Sequence, residues 1–122
     1  MSEILIDHVL LDRVTKAAKE SLRLRMNYNF HESLSSPSQR LLNALEPGTV
    51  LPIHRHRHTA ETYVLLRGRM RVLFYDDDKK EINRYELDPA EGTYGVNIPR
   101  GQWHTIEVLC AGTVIFEVKD GP

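Results

Sequence analysis

Within Gly48-Thr-Val-Leu-Pro-Ile-His54-Arg-His56-Arg-His58-Thr-Ala-Glu61, three histidines alternate with two arginines and a carboxylate closes the run. In an extended chain, side chains at i and i+2 share a face. His54 and His56 then converge while Arg55 and Arg57 point the opposite way. Two imidazoles with Glu61 in reach make a nitrogen and oxygen set suited to a divalent transition metal. A fourth donor must come from elsewhere, and His104 in Ile98-Pro-Arg-Gly-Gln-Trp-His104 is the candidate. His58 has the same parity as His54 and His56 and competes with them; if the chain bends after His56 to bring Glu61 round, His58 moves to the mouth of the site. The alternative for the whole cluster is a solvated basic patch.

These residues need a scaffold that brings two distant stretches together. Asp7 can cap a helix over roughly residues 8–21, in which Leu10, Val14 and Ala17 recur at helical spacing with Leu11, Ala18 and Leu22 beside them. Residues 23–31 are polar and aromatic without helical period, and suit an edge strand or an extended arm. Ser33-Leu-Ser-Ser-Pro-Ser38 is a loop by composition. Strands are expected at 39–45, 61–67, 70–75, 81–87, 94–98, 103–109 and 114–119. Turn signals separate them at Glu46-Pro47-Gly48, Asp76–Lys80, Asp88–Gly92, Pro99–Gly101 and Ala111-Gly112. Many short strands with regular turns indicate an all-β sandwich or barrel.

The 122 residues suffice for one domain with a proper core. Sixteen basic against 17 acidic residues leave a formal charge of -1, with no bias toward nucleic acid or anionic membranes. The single cysteine, Cys110, excludes an intrachain disulfide and fits a reducing compartment. No apolar run approaches the ~20 residues that span a bilayer. The start Met-Ser-Glu-Ile-Leu-Ile-Asp lacks the features of a signal peptide, so a cytoplasmic protein is expected.

Asn27, Asn29, His31, Gln39 and Arg40 are polar groups close to the first strands. They suit either a pocket rim, with Arg40 gripping a carboxylate or phosphate, or hydrogen bonding within an N-terminal arm. Tyr63 shares the face of Glu61 and either lines the pocket or fills the interior. Trp103 faces away from His104 by parity and reads as packing, and Cys110 as a buried inert thiol. Asp76-Asp-Asp78 lacks the glutamate of a calcium loop and reads as a hairpin tip.

The spacing of Gly48, His54-x-His56, Glu61 and Gly68, followed by Pro99-x-Gly101-x-x-His104, resembles the two motifs of the cupin superfamily. The second motif departs from the pattern: Thr93 stands where an opening glycine is usual, and Val108 where asparagine is. The N-terminal helix, Asn27-Tyr-Asn29-Phe-His31, Pro37-Ser-Gln39-Arg40 and the ending Glu117-Val-Lys119-Asp-Gly-Pro122 look like the WbuC family of cupin metalloproteins, which occurs in bacterial O-antigen and polysaccharide gene clusters. The resemblance implies an all-β jelly-roll barrel (a double-stranded β-helix) over residues 27–122, with a helical extension at 1–26 packed on it. It further implies one divalent metal ion (Fe, Mn, Zn, Ni or Co) held inside by His54, His56, Glu61 and His104. The expected ligand is a small molecule, a sugar or nucleotide-sugar, handled by a metal-dependent isomerase or epimerase with His31, His58 or Tyr63 as candidates to move a proton. A non-catalytic binding module and an iron-dependent dioxygenase are the alternatives, and a homodimer is plausible.

Overall fold

The computed structural model describes residues 2–122. Helix α1 (His8–Glu20) starts where Asp7 accepts a hydrogen bond from the Leu10 amide at 3.0 Å, and ends at Ser21. Its apolar stripe of Leu10, Leu11, Val14 and Ala18 is buried against Leu42, Ala44 and Val114, with Tyr28, Phe30 and Phe116 around the edge. The remainder is β-structure: β1 (Arg25–Asn29), β2 (Ser38–Leu45), β3 (Glu61–Arg67), β4 (Met70–Tyr75), β5 (Glu81–Leu87), β6 (Gly95–Ile98), β7 (Trp103–Val108) and β8 (Thr113–Asp120). A short 3-10 turn at Pro89–Glu91 links β5 to β6. β1 forms the edge strand that residues 23–31 allowed, and it spans the point at which the barrel was expected to begin.

The strands make two antiparallel sheets, in the orders β1-β2-β8-β3-β6 and β5-β4-β7. This is a jelly roll. Strands distant in sequence become neighbours, and the last strand lies between β2 and β3. The larger sheet is covered on both faces, so its central strands carry apolar residues at successive positions rather than in alternation. Leu42 and Ala44 face the helix, while Leu45, Tyr63, Leu65 and Ile115 face inward and pack on Met70, Val72, Phe74 and Ile106 of the smaller sheet.

Two devices hold these layers in register. Arg67 donates to Asp12 (2.7 Å), to Thr15 Oγ1 (2.9 Å) and to the Gly112 carbonyl (3.0 Å), tying α1 to the barrel end. Gly68 turns the β3–β4 connection at φ +95°, and a Cβ there would lie 2.6 Å from the Thr113 Cα. Only glycine satisfies both the left-handed backbone and the close approach.

Candidate metal centre

His54, His56, Glu61 and His104 offer donor atoms that all lie within 4.8 Å of one another. Glu61 opens β3 in the larger sheet, and His104 is the second residue of β7 in the smaller one. The site therefore sits between the sheets at one end of the barrel. Its histidine pair is not on a regular strand, contrary to the i, i+2 strand expected from the sequence. His54 makes an isolated antiparallel bridge with His104, through amide-to-carbonyl bonds of 3.0 and 2.9 Å, and residues 55–60 are irregular. The Gly101 amide donates to the His56 carbonyl at 2.7 Å and anchors this loop. Backbone pairing with β7 thus replaces strand parity as the reason that His54 and His56 converge. Their ring centroids are 5.4 Å apart, and those of His54 and His104 are 4.3 Å apart.

Hydrogen bonds fix the orientation of these rings. Carbonyl oxygens only accept, so His54 Nδ1 donates to the Pro52 carbonyl (2.9 Å) and His104 Nδ1 to the Gln102 carbonyl (2.8 Å). In the neutral tautomers each Nε2 then presents a lone pair, as metal-binding histidines require. His104 Nε2 lies 2.8 Å from Glu61 Oε1, and His56 Nε2 is 3.5 Å from Glu61 Oε2. A lone pair and a carboxylate this close, with His104 at 1% and Glu61 at 4% exposure, need a cation between them, either a proton or a metal. The residues present fit a divalent transition metal.

The local electrostatics follow from burial. Desolvation alone would raise the Glu61 carboxyl, but hydrogen bonds from His104 and Tyr63 and the nearby His56 outweigh it, and the group is held below the usual carboxylate range. Burial lowers His56, against the pull of Glu61, and so favours the neutral imidazole that a metal needs. Tyr63 is raised well above the ordinary phenol range by burial and by the carboxylates of Glu117 and Glu61. Its hydroxyl donates to Glu61 Oε1 at 2.8 Å and lies 3.4 Å from His104 Nε2. Tyr63 is therefore held protonated, hydrogen-bonded to Glu61 inside the barrel beside the cluster.

The other sequence candidates are distributed differently. His58 is exposed, on the bend after His56 and outside the cluster. Asn27 and Asn29 are exposed on edge strand β1, and their register with Asn43 and Leu41 places them on the inner face of the larger sheet. Gln39 is buried on that same face, with its amide donating to the Leu34 carbonyl at 2.9 Å. Arg40 and His31 are not brought to the centre. Arg40 has the parity of Leu42 and emerges on the helix side, near Phe30 and Phe116, where the His31 ring meets its backbone. Trp103 points away from His104 as expected, with Arg55 4.5 Å and Lys79 4.9 Å from its ring. Cys110 is half-buried near Thr113 and outside the cluster.

Two interior groups were missed in the sequence. Glu117 lies in register with Tyr63, and Asn43 Nδ2 donates to its Oε1 at 3.0 Å. Desolvation pushes the Glu117 carboxyl up to about 7, against the Asn43 hydrogen bond. The signal was present in Val114-Ile-Phe-Glu-Val-Lys119, where charged Glu117 and Lys119 take the parity of the core residue Ile115.

Residues 6–87 match the family model described as "Domain of unknown function (DUF6016)". The chain belongs to this family. No curated protein matches it in sequence. Among solved structures, the chain is similar to the capsular polysaccharide assembling protein CapF of Staphylococcus aureus, at 23% identity and a TM-score of 0.66 over 79% of this chain and 26% of CapF. It thus spans about a quarter of CapF. The cupin domain of Schizosaccharomyces pombe Cnp3 superposes with a TM-score of 0.62 and 11% identity, over 80% of this chain and 65% of the other. Bacillus subtilis oxalate decarboxylase, a protein with Mn(II) centres, gives a TM-score of 0.60 and 21% identity over 80% of this chain and 25% of its own. At these identities the likeness carries the cupin fold.

Proposed function

We propose that this chain is a WbuC-type cupin that holds one divalent transition metal at His54, His56, Glu61 and His104 and uses it on a sugar or nucleotide-sugar of bacterial polysaccharide metabolism. The observation that carries the reading is the convergence of four donor atoms within 4.8 Å. The two Nδ1 atoms already committed to carbonyls support it. When bound, such an ion supplies Lewis acidity toward a ligand carbonyl or hydroxyl. The chain's own residues do the remaining work: Tyr63 holds its proton and fixes Glu61, the barrel walls limit water, and inner-face polar groups orient the ligand. The neighbour that assembles capsular polysaccharide supports the choice of substrate class. Among the described residues, no helix is long and apolar enough to cross a membrane. The unpaired edge of β1 and exposed Leu5 and Val9 support association as a homodimer.

The test is metal content by elemental mass spectrometry on protein prepared without a histidine tag. About one equivalent of a transition metal per chain is expected in the wild type. His56→Ala, which changes a half-exposed side chain, should lose most of it while retaining the β-sheet circular dichroism spectrum. Full occupancy in that variant would reject the ligand set, and a wild type that takes up no metal on titration would reject the metalloprotein reading.

A further inference from the structure

The inner face of the larger sheet is not uniformly apolar. Strand register arranges it in rows across the sheet. One runs Gln39, Lys119, Glu61, Ile98, the next Asn29, Leu41, Glu117, Tyr63, Val96, and the third Asn27, Asn43, Ile115, Leu65. Polar side chains therefore form a continuous band from the open edge at β1 to the metal cluster, through Asn43, Glu117 and Lys119.

Within this band, hydrogen-bonding capacity is left over. Asn43 is nine-tenths buried, and while its Nδ2 donates to Glu117, its Oδ1 has no partner among the described residues. A buried amide oxygen left bare costs about 1–3 kcal/mol. Glu117 uses Oε1 for Asn43, and its Oε2 has no hydrogen-bond partner among the described residues. Lys119 is half-buried in the row between Gln39 and Glu61, with no carboxylate within 4.0 Å of its ammonium among the described residues. Lys119 is the register partner of Glu61 across β3 and β8, which places it in the row beside the cluster. An ammonium on the inner face without a carboxylate in ion-pair range is a ready anion holder.

We infer that this band is the ligand subsite of the metal centre, and that it selects a small hydroxylated carboxylate of the sugar-acid type. Its hydroxyls lie toward Glu117, and its carboxylate lies at Lys119 next to the cluster. This inference rests on the metal-site reading above and narrows its substrate class from sugars in general to acidic ones. Asn27 and Asn29 extend the band at the exposed edge, where a longer ligand would leave the barrel.

The experiment is calorimetric titration of metal-loaded protein with D-glucuronate and D-galacturonate, against neutral D-glucose and D-galactose as controls. The uronates should bind, with the neutral sugars weaker by about tenfold or more, the worth of one charge-assisted hydrogen bond. Lys119→Met should reduce uronate affinity to the level of the neutral sugars, and Glu117→Gln should weaken acid and neutral forms alike. Metal content is measured on the same samples. Equal affinity for acids and neutral sugars, unchanged uronate binding in K119M, or no uronate binding to the fully metallated wild type would each overturn the subsite. Absence of metal from the wild type would instead sink the centre itself. K119M that keeps its metal and its melting temperature while losing the uronate separates ligand selection from any structural role of the lysine.

Discussion

At the residue scale, two inward-facing carboxylates on neighbouring strands have opposite electrostatic fates. Glu61 is held low by His104, Tyr63 and His56, so its contribution to stability is present above the ordinary carboxylate range and is lost only as pH falls below about 4.5. Glu117 has a folded-state pKa of about 7, above its unfolded value. It contributes stability at low pH that is lost as pH rises through 7, because the unfolded chain releases the proton first. The groups facing it are Tyr63, Asn43, Glu61, His104 and Lys119, and of these Lys119 and His104 oppose the shift by their charge. Lowered His56 changes stability in the opposite sense over an overlapping range, so the difference between wild type and a variant is the informative quantity. In metal-stripped protein, urea unfolding should show Glu117→Gln gaining on the wild type between pH 5 and pH 8 by up to about 3 kcal/mol. Parallel pH profiles would show that the carboxyl is solvated rather than desolvated.

At the scale of elements, function depends on connections that set strand register. The β3–β4 turn is the tightest of these. Gly68 sits at φ +95°, and a Cβ there would overlap Thr113, whose hydroxyl also donates to the Cys110 carbonyl at 2.8 Å. Gly68→Ala should therefore cost about 2 kcal/mol or more, from left-handed strain together with displacement of the start of β8. Chemical denaturation measures this directly, and a loss below about 0.5 kcal/mol would mean that the turn relaxes freely. The same shift moves Glu117 and Lys119 relative to Tyr63 and Glu61, since all four are set by the β3–β8 register. Helix α1 acts more remotely. It seals the outer face of β2 and β8 so that these strands can turn polar groups inward without losing a core.

For the whole molecule, the candidate centre joins parts that the chain otherwise connects only through long loops and the core. Glu61 comes from one sheet, His104 from the other, and His54 and His56 from the segment between β2 and β3. A bound ion would cross-link the two sheets at one barrel end, and its binding free energy would add to folding stability. At free metal a thousandfold above its dissociation constant, this amounts to about 4 kcal/mol. Chelation should then lower the melting temperature of a domain this size by about 10 °C or more. Glu61→Ala should melt at the same temperature with and without chelator. An unshifted wild type would show that the cluster holds no ion under those conditions.

The spacing of His54, His56, Glu61 and His104 already identified a set of donors, because imidazole and carboxylate chemistry is a property of residue type. Turn residues and alternating patterns likewise delimited the strands to within a residue or two, because they act locally. What those patterns could not determine was which strands become neighbours. Parity assigns a side chain to one of two faces, but its surroundings depend on pairing across most of the chain. Arg40 fell on the helix side for that reason, although its neighbour Gln39 faces inward. His54 and His56 converge through a backbone bridge to β7 rather than through a strand of their own. Glu117 and Lys119 acquired their place beside the centre only when β8 inserted between β2 and β3, since desolvation and proximity are created by the packed fold and have no meaning in the extended chain.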